Sequence, residues 1–426
     1  MHRNMTIKLY AKDSKRFTTK PLKPIPNEGI DMVLRIAIFV PFLYPFHIDM
    51  LNVMNSKVKA KVFTCGIYGN HPFEHLMTHA EVLRCVHIMN EKVIDIRDII
   101  KFMNYRPYGV IIFGIEGLAG LLIYFISKIM KVKTLVIVEE NYITQLNNVF
   151  LKLLQKIKRS IIRLVYEDSP ILVAESYASK QYVLEVLRCR RDKPLIVRPH
   201  GVNTERFKAS LLIPKKQAKQ QLIKILGLQD DLAEKMWCTF IGELSYSKGA
   251  DVLIDAIEIL WEKLKIRGNV IFLLPKTRFL HDKREIRDQY MRKIAKLLSY
   301  GIIRFYNPLK PEDMPLLYRA SEIVVLPSRL LSYASSDRSP NVALEALATG
   351  SLLVASYAGG IPSIVGDAAI LVRPNDPVSL ASKLLDVINN YEKYEYIKKK
   401  ALERAAKELD IKLYSLTLLM LLTKYK

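Results

Sequence analysis

The chain has 426 residues, half of them apolar and a quarter charged, which excludes a disordered protein and leaves room for two or three domains. Lysine and arginine number 65 against 42 acidic residues, a formal charge of +23 that favours anionic partners: phosphate-rich ligands, an anionic membrane face or nucleic acid. Four cysteines, Cys65, Cys85, Cys189 and Cys238, show no C-x-x-C spacing, so a zinc site or disulfide framework is not expected and a reducing cytosol is.

Residues 1–30 are basic and carry Pro21, Pro24 and Pro26, the composition of a surface extension. The first residues lack the apolar segment of a signal peptide, so a cytoplasmic location is expected. Val33 to Val40 is a continuous apolar run stopped by Pro41, the mark of a buried parallel strand. Similar runs follow at Val110–Phe113, Thr134–Val138, Ile171–Ala174 and Leu195–Val197, with helix-like segments between most of them. The apolar stretch from Gly109 to Ile126 invites a membrane-spanning reading. Glu116 and the glycines at 114, 117 and 120 interrupt it, and it reads as strand, turn and helix.

A second series begins after the turn at Pro199–Phe207. Its expected strands are Cys238–Ile241, Val270–Leu274, Ile302–Tyr306, Ile323–Leu326, Leu352–Ser356 and Ala369–Val372. Asp251–Lys263, Met314–Ala320, Asn341–Ala348 and Pro377–Asn389 read as helices between them. The alternation predicts an α/β protein of two doubly wound, Rossmann-like domains facing a central cleft, where ligands of such sheets collect. The expected divisions are 1–30 as extension, 31–205 and 206–395 as the two domains, and 396–426 as a bent C-terminal helical segment that could cross back to the first domain.

Phe150 to Tyr166 predicts a basic amphipathic helix. Lys152, Lys156, Arg159 and Arg163 share one stripe, and Phe150, Leu153, Leu154, Ile157, Ile161 and Leu164 fall largely on another. Two readings stand: a helix resting on an anionic membrane face, and a core-packed helix with a solvated basic side.

The chemistry concentrates in the second series. In Phe240-Ile-Gly-Glu-Leu-Ser-Tyr-Ser-Lys-Gly249, Gly242 allows a sharp turn and Lys248 stands before a helix start, a placement that suits a diphosphate. In Asp337-Arg-Ser-Pro-Asn-Val-Ala-Leu-Glu345, two carboxylates have seven residues between them. Ser339 or Asn341 can cap a helix beginning near Asn341, with Glu345 about one turn inside. A ligand lying across that helix start would touch both acids.

These segments resemble the glycosyltransferase-4 type of retaining glycosyltransferase, together with His200-Gly-Val-Asn-Thr-Glu-Arg-Phe207, Leu317 to Ser328, Ala346 to Gly350 and Ala358 to Pro362. Order and spacing agree across 195–390; the first half agrees loosely, mainly at Tyr108–Glu140. The resemblance implies a GT-B fold and transfer of a hexose-like sugar from a nucleotide diphosphate to a hydroxyl of a lipid-linked, glycan or protein acceptor. It implies no cofactor and no metal, and a peripheral place at the inner membrane face would suit a lipid-linked acceptor. Glu345 would hold the ribose hydroxyls, Lys248 the leaving β-phosphate, and the backbone around Gly242, Ser339, Asn341 and Val342 the diphosphate or sugar. Asp337, in place of the family's first Glu, would face the anomeric carbon.

Glu243 stands where the family usually has Arg; either Lys276, Arg278 or Arg338 would supply that charge or Glu243 would turn away from the diphosphate. Glu139 or Glu140, at a strand end where many relatives carry His, would face the acceptor. Three alternatives follow: a GT-B scaffold that binds without transferring, a nucleotide-sugar epimerase or hydrolase on the same fold, and a nucleic-acid binder. The last ranks lowest because aromatic-interleaved basic patches are absent.

Overall fold

The computed structural model describes residues 34–65, 80–83, 85–88, 91–115, 117–139, 149–264, 266, 269–281, 283–330 and 339–424. Two parallel sheets dominate. The first comprises β1 (Arg35–Val40), β2 (Lys59–Thr64), β3 (Ala80–Val82), β6 (Gly109–Phe113), β7 (Lys133–Val138), β8 (Leu172–Ala174) and β9 (Leu195–Val197). Their order is β3-β2-β1-β6-β7-β8-β9, with every neighbouring pair parallel. Strands β4 (Cys85–Ile88) and β5 (Glu91–Ile94) form a separate antiparallel hairpin.

The second sheet holds β10 (Met236–Phe240), β11 (Val270–Pro275), β12 (Ile303–Tyr306), β13 (Ile323–Leu326), β14 (Leu352–Ser356) and β15 (Ile370–Val372) in the order β12-β11-β10-β13-β14-β15. All its ladders are parallel. Parallel strands need helical crossovers that cover both faces, which is why the central strands are unbroken apolar runs: Gly109–Phe113 and Ile323–Leu326 are buried at every position. Each sheet reverses its winding once, between β1 and β6 and between β10 and β13. The carboxyl ends of the strands at those reversals are where a doubly wound sheet opens a crevice.

The predicted strands and helices appear within about two residues of their sequence boundaries. Strands β2 to β5 were not expected. Lys59-Ala-Lys-Val-Phe-Thr64 interleaves lysine with apolar residues and lacks the continuous run that marks its neighbours. The C-terminal segment bends at Leu409–Asp410. Helix Glu395–Glu408 stays with the second domain, placing Ala401 and Ala405 in its core, whereas helix Ile411–Lys424 packs Tyr414, Leu418 and Leu422 onto the first sheet beside helix Pro45–Asn55. The outgoing and returning chains are clipped together where they cross. Val202 N–H donates to Leu409 O at 2.8 Å, and Ile411 N–H donates to Val202 O at 2.9 Å.

Candidate active site

At the carboxyl end of β10 the chain leaves through Ile241–Gly249. Gly242 and Gly249 both have positive φ, +127° and +70°. The helix that follows, Ala250–Glu262, starts directly after Gly249. Lys248 is half-buried before that start and Glu243 is exposed. The loop is fastened to the segment after β13 at several points. Arg329 N–H donates to Ser247 O at 3.0 Å, and the Arg329 guanidinium lies 4.1 Å from the Tyr246 ring centroid. The same guanidinium forks onto buried Asp251, with Nε donating to Oδ2 at 3.0 Å. The two loops flanking the β10/β13 reversal are therefore one packed unit, and Lys248 rides on it.

On the other side of the reversal, helix Asn341–Ala348 begins as predicted. The expected side-chain cap is not there. The N-cap is Pro340, which carries no side-chain acceptor, and Ser339 Oγ is buried without a hydrogen-bond partner among the described residues. Asn341 is engaged elsewhere: its Oδ1 lies 2.7 Å from His200 Nε2. The proline turn sets the entry angle instead, and the first backbone N–H groups point out of the helix, as at any helix start.

Glu345 sits one turn in, only partly exposed, and accepts a 2.7 Å hydrogen bond from the Tyr318 hydroxyl. Burial pushes its carboxyl up to about 7; the Tyr318 bond, Arg206 and His200 oppose that shift and Asp49 adds to it. Burial also pushes the Tyr318 phenol well above its ordinary value, helped by the charge of Glu345, so this phenol stays a donor.

The first domain and the linker close over this helix. His200 is buried, stacks on Phe46 with ring centroids 4.3 Å apart, and has Nδ1 3.6 Å from Glu175 Oε1 at the end of β8. Asp49 accepts from Asn203 Nδ2 at 3.1 Å and pairs with Arg206 at 3.2 Å. Tyr177 N–H donates to Ser363 Oγ at 3.0 Å across the two domains. Glu139 lies at the carboxyl end of β7, half-buried, with its carboxylate against Gly114 at the end of β6.

The structure thus gathers Gly242, Glu243, Lys248, Asn341, Val342 and Glu345 at the carboxyl end of the second sheet, with Glu139 at that of the first. Lys276 and Arg278 are exposed just after β11, on the same edge. Asp337, Arg338 and Glu140 lie outside the described residues. Sequence reasoning missed Tyr318, Arg206, Asp49 and Glu175. Tyr318 and Arg206 stood inside segments already singled out, but only the fold shows Tyr318 reaching Glu345. Asp49 and Glu175 carry no local signal.

Residues 230–404 match the family described as "Glycosyl transferases group 1". This segment belongs to that family. Sequence relatives of the chain include a D-inositol 3-phosphate glycosyltransferase from Streptomyces avermitilis. That relative is 27% identical over 219 residues, covering 50% of this chain and 43% of the relative. An uncharacterized glycosyltransferase from Methanocaldococcus jannaschii is 27% identical over 238 residues, 54% of each chain. The chain thus spans about half the length of the curated relatives it matches.

Among solved structures, Anabaena HepE in complex with UDP superposes with a TM-score of 0.68 at 17% identity, covering 92% of this chain and all of that one. A glycosyltransferase from Rickettsia africae gives 0.66 at 18% identity, covering 92% and 98%. Those likenesses, with two doubly wound sheets, establish the GT-B architecture.

Proposed function

We propose that this chain is a nucleotide-sugar-dependent glycosyltransferase. One observation carries the reading: two elements on either side of the β10/β13 reversal, the loop with Lys248 and the helix start with Glu345 one turn in, offer a cation, outward backbone N–H groups and a carboxylate at the carboxyl end of the same sheet. The UDP and UDP-glucose complexes formed by HepE, a neighbour in fold, support a donor of that class.

In this reading Glu345 accepts the ribose hydroxyls, a task for which a carboxylate's two oxygens suit. Lys248 and the start of helix Asn341–Ala348 take up the charge of the departing diphosphate, with no resident metal or cofactor. The role assigned to Asp337 is that of a fixed negative charge for the anomeric carbon, which favours an oxocarbenium-like transition state and transfer with retention. The acceptor is a hydroxyl of a lipid-linked, glycan or protein molecule approaching from the side of Glu139.

The test is nucleotide release from UDP-, GDP- and ADP-sugars by wild type, Lys248→Ala and Asp337→Ala. The expected result is slow hydrolysis of one donor, reduced about 10²-fold or more in both variants, as for the loss of a charge-stabilising group. Absence of both binding and release with every donor would overturn the reading and favour a scaffold in which exposed Glu243 repels the diphosphate.

A further inference from the structure

The helix Val149–Asp168 buries only part of the apolar stripe that its sequence displays: Leu154 and Ile161 are partly covered, Ile161 against the core of the first sheet. Its core face is Ile162, Val165 and Tyr166, while Leu153, Ile157 and Leu164 are exposed, the last at 68%. Lys156 and Arg163 flank this stripe in solvent; Arg159 is partly covered, and the side chain of Lys152 lies outside the described residues.

Two further helices on the same face of the first sheet repeat the pattern. Helix Leu118–Ile129 turns Leu118, Phe125 and Ile129 outward, Ile129 at 75% exposure, although its inner residues fill the same core. Helix Ile96–Asn104 exposes Ile96, Ile100 and Met103, at helical steps of four and three. The first two helices are neighbours, since Lys128 pairs with Asp168 at 2.8 Å.

All three helices pack inward on one core, so their outward stripes look the same way. A helix apolar all round normally lies inside a protein, and scattered surface leucines need no explanation; nine large apolar side chains in three stripes on one face do.

Charge identifies the occupant. The three helices carry eight lysines and arginines against three carboxylates, Asp98, Glu167 and Asp168. Each carboxylate already has a cationic partner: Lys101, Arg190 and Lys128. Apolar stripes bordered by cations, with no uncompensated acid among them, match the interface of an anionic bilayer, where side chains such as Phe and Leu enter the acyl boundary and Lys and Arg meet phosphates. No described helix is long and apolar enough to cross a membrane, so the contact is with the surface.

We propose that helices Ile96–Asn104, Leu118–Ile129 and Val149–Asp168 seat the first domain on an anionic lipid surface. The experiment is flotation of the full chain with vesicles of phosphatidylcholine and phosphatidylglycerol in equal parts, beside vesicles of phosphatidylcholine alone. Wild type is expected to float with the mixed vesicles and to leave them as salt rises.

Phe125→Ser with Ile129→Ser and Leu164→Ser is expected to lower partitioning at least about tenfold. Lys156→Glu with Arg163→Glu is expected to lower it about 25-fold or more, since each cation near such a surface is worth roughly a factor of five. All substituted side chains are exposed, and circular dichroism melts matching wild type show that the variants fold. Equal flotation of wild type and both folded variants would overturn the proposal. So would a wild type that ignores lipid but forms a dimer in sedimentation equilibrium that the serine variant abolishes, because the face would then belong to a second copy of the chain.

Discussion

Glu345→Gln is expected to make the unliganded protein more stable at pH 8 while removing most of its affinity for a nucleotide-sugar. The carboxyl is raised from 4.5 to about 7 by burial. A group so raised binds its proton more tightly when folded. Its ionisation therefore costs nothing below the unfolded value; the cost grows between pH 4.5 and about 7 and is complete above that. The shift corresponds to a cost on the order of 3 kcal/mol at pH 8. Glutamine has nearly the same shape, keeps an acceptor for the Tyr318 hydroxyl and carries no charge to desolvate, so its melting temperature at pH 8 should exceed that of wild type by several degrees, and the difference should vanish near pH 4.

Binding should move the other way. Losing two charge-assisted acceptor contacts to ribose hydroxyls is expected to weaken donor affinity about 10²-fold or more. Wild-type affinity should itself fall by up to about tenfold per pH unit below 7, because only the ionised carboxylate accepts both hydroxyls. Calorimetric titration of the nucleotide-sugar at several pH values reads both effects. A glutamine variant that binds like wild type, or a wild-type affinity flat between pH 5.5 and 8, would remove Glu345 from the donor site.

Gly249→Ala should be the most damaging single change in the Lys248 loop. A Cβ at this position would stand 1.9 Å from Pro327 O and 2.7 Å from Pro327 C, both backbone atoms that no side-chain rotation can clear. The residue also has φ +70°, which by itself costs a side chain about 1–2 kcal/mol. To admit the methyl group, the loop must part from the segment after β13. That would break the Arg329 N–H to Ser247 O bond and disturb the fork between Arg329 and Asp251.

The expected loss is about 3–5 kcal/mol of stability, with donor binding lost as well because Lys248 is the adjacent residue. Gly242→Ala is the matched comparison. Its φ of +127° is also unfavourable, but among the described residues no atom beyond the adjoining two residues lies within 4 Å of the added carbon, so only the backbone strain of about 1–3 kcal/mol should appear. Urea denaturation of both variants separates the two contributions. Equal midpoints would show that the contact with Pro327 is not what fixes the loop.

How much of this was legible beforehand follows from the range of each interaction. Buried parallel strands require unbroken apolar runs and amphipathic helices carry their own periodicity, so β1, β6 to β15 and the helices Val149–Asp168, Ala250–Glu262, Met314–Ala320, Asn341–Ala348 and Pro377–Asn389 could be read from neighbouring residues alone, whereas helices Lys215–Leu226 and Arg284–Ser299 were not singled out. Strand β2 could not, because lysines at 59 and 61 break the run that its position between β1 and β3 tolerates.

The same division holds at the site. Lys248, Asn341 and Glu345 were recognisable because strand, loop and helix start are local patterns. That Asn341 meets His200 instead of capping its own helix depends on a linker 141 residues away. The ionisation of Glu345 depends likewise on Tyr318, Arg206 and Asp49, none adjacent in sequence. Helix Val149–Asp168 shows the limit most plainly. Its sequence offers apolar residues on more than one side, and periodicity cannot choose between them; the sheet beneath takes Ile162, Val165 and Tyr166 and leaves Leu153, Ile157 and Leu164 outside. The sequence by itself determined two doubly wound domains and the loops that bear the chemistry, since these rest on local hydrogen bonding and burial. Tertiary structure alone decided which side chains meet across the domains and which apolar stripe faces out, since those depend on packing between segments far apart in the chain.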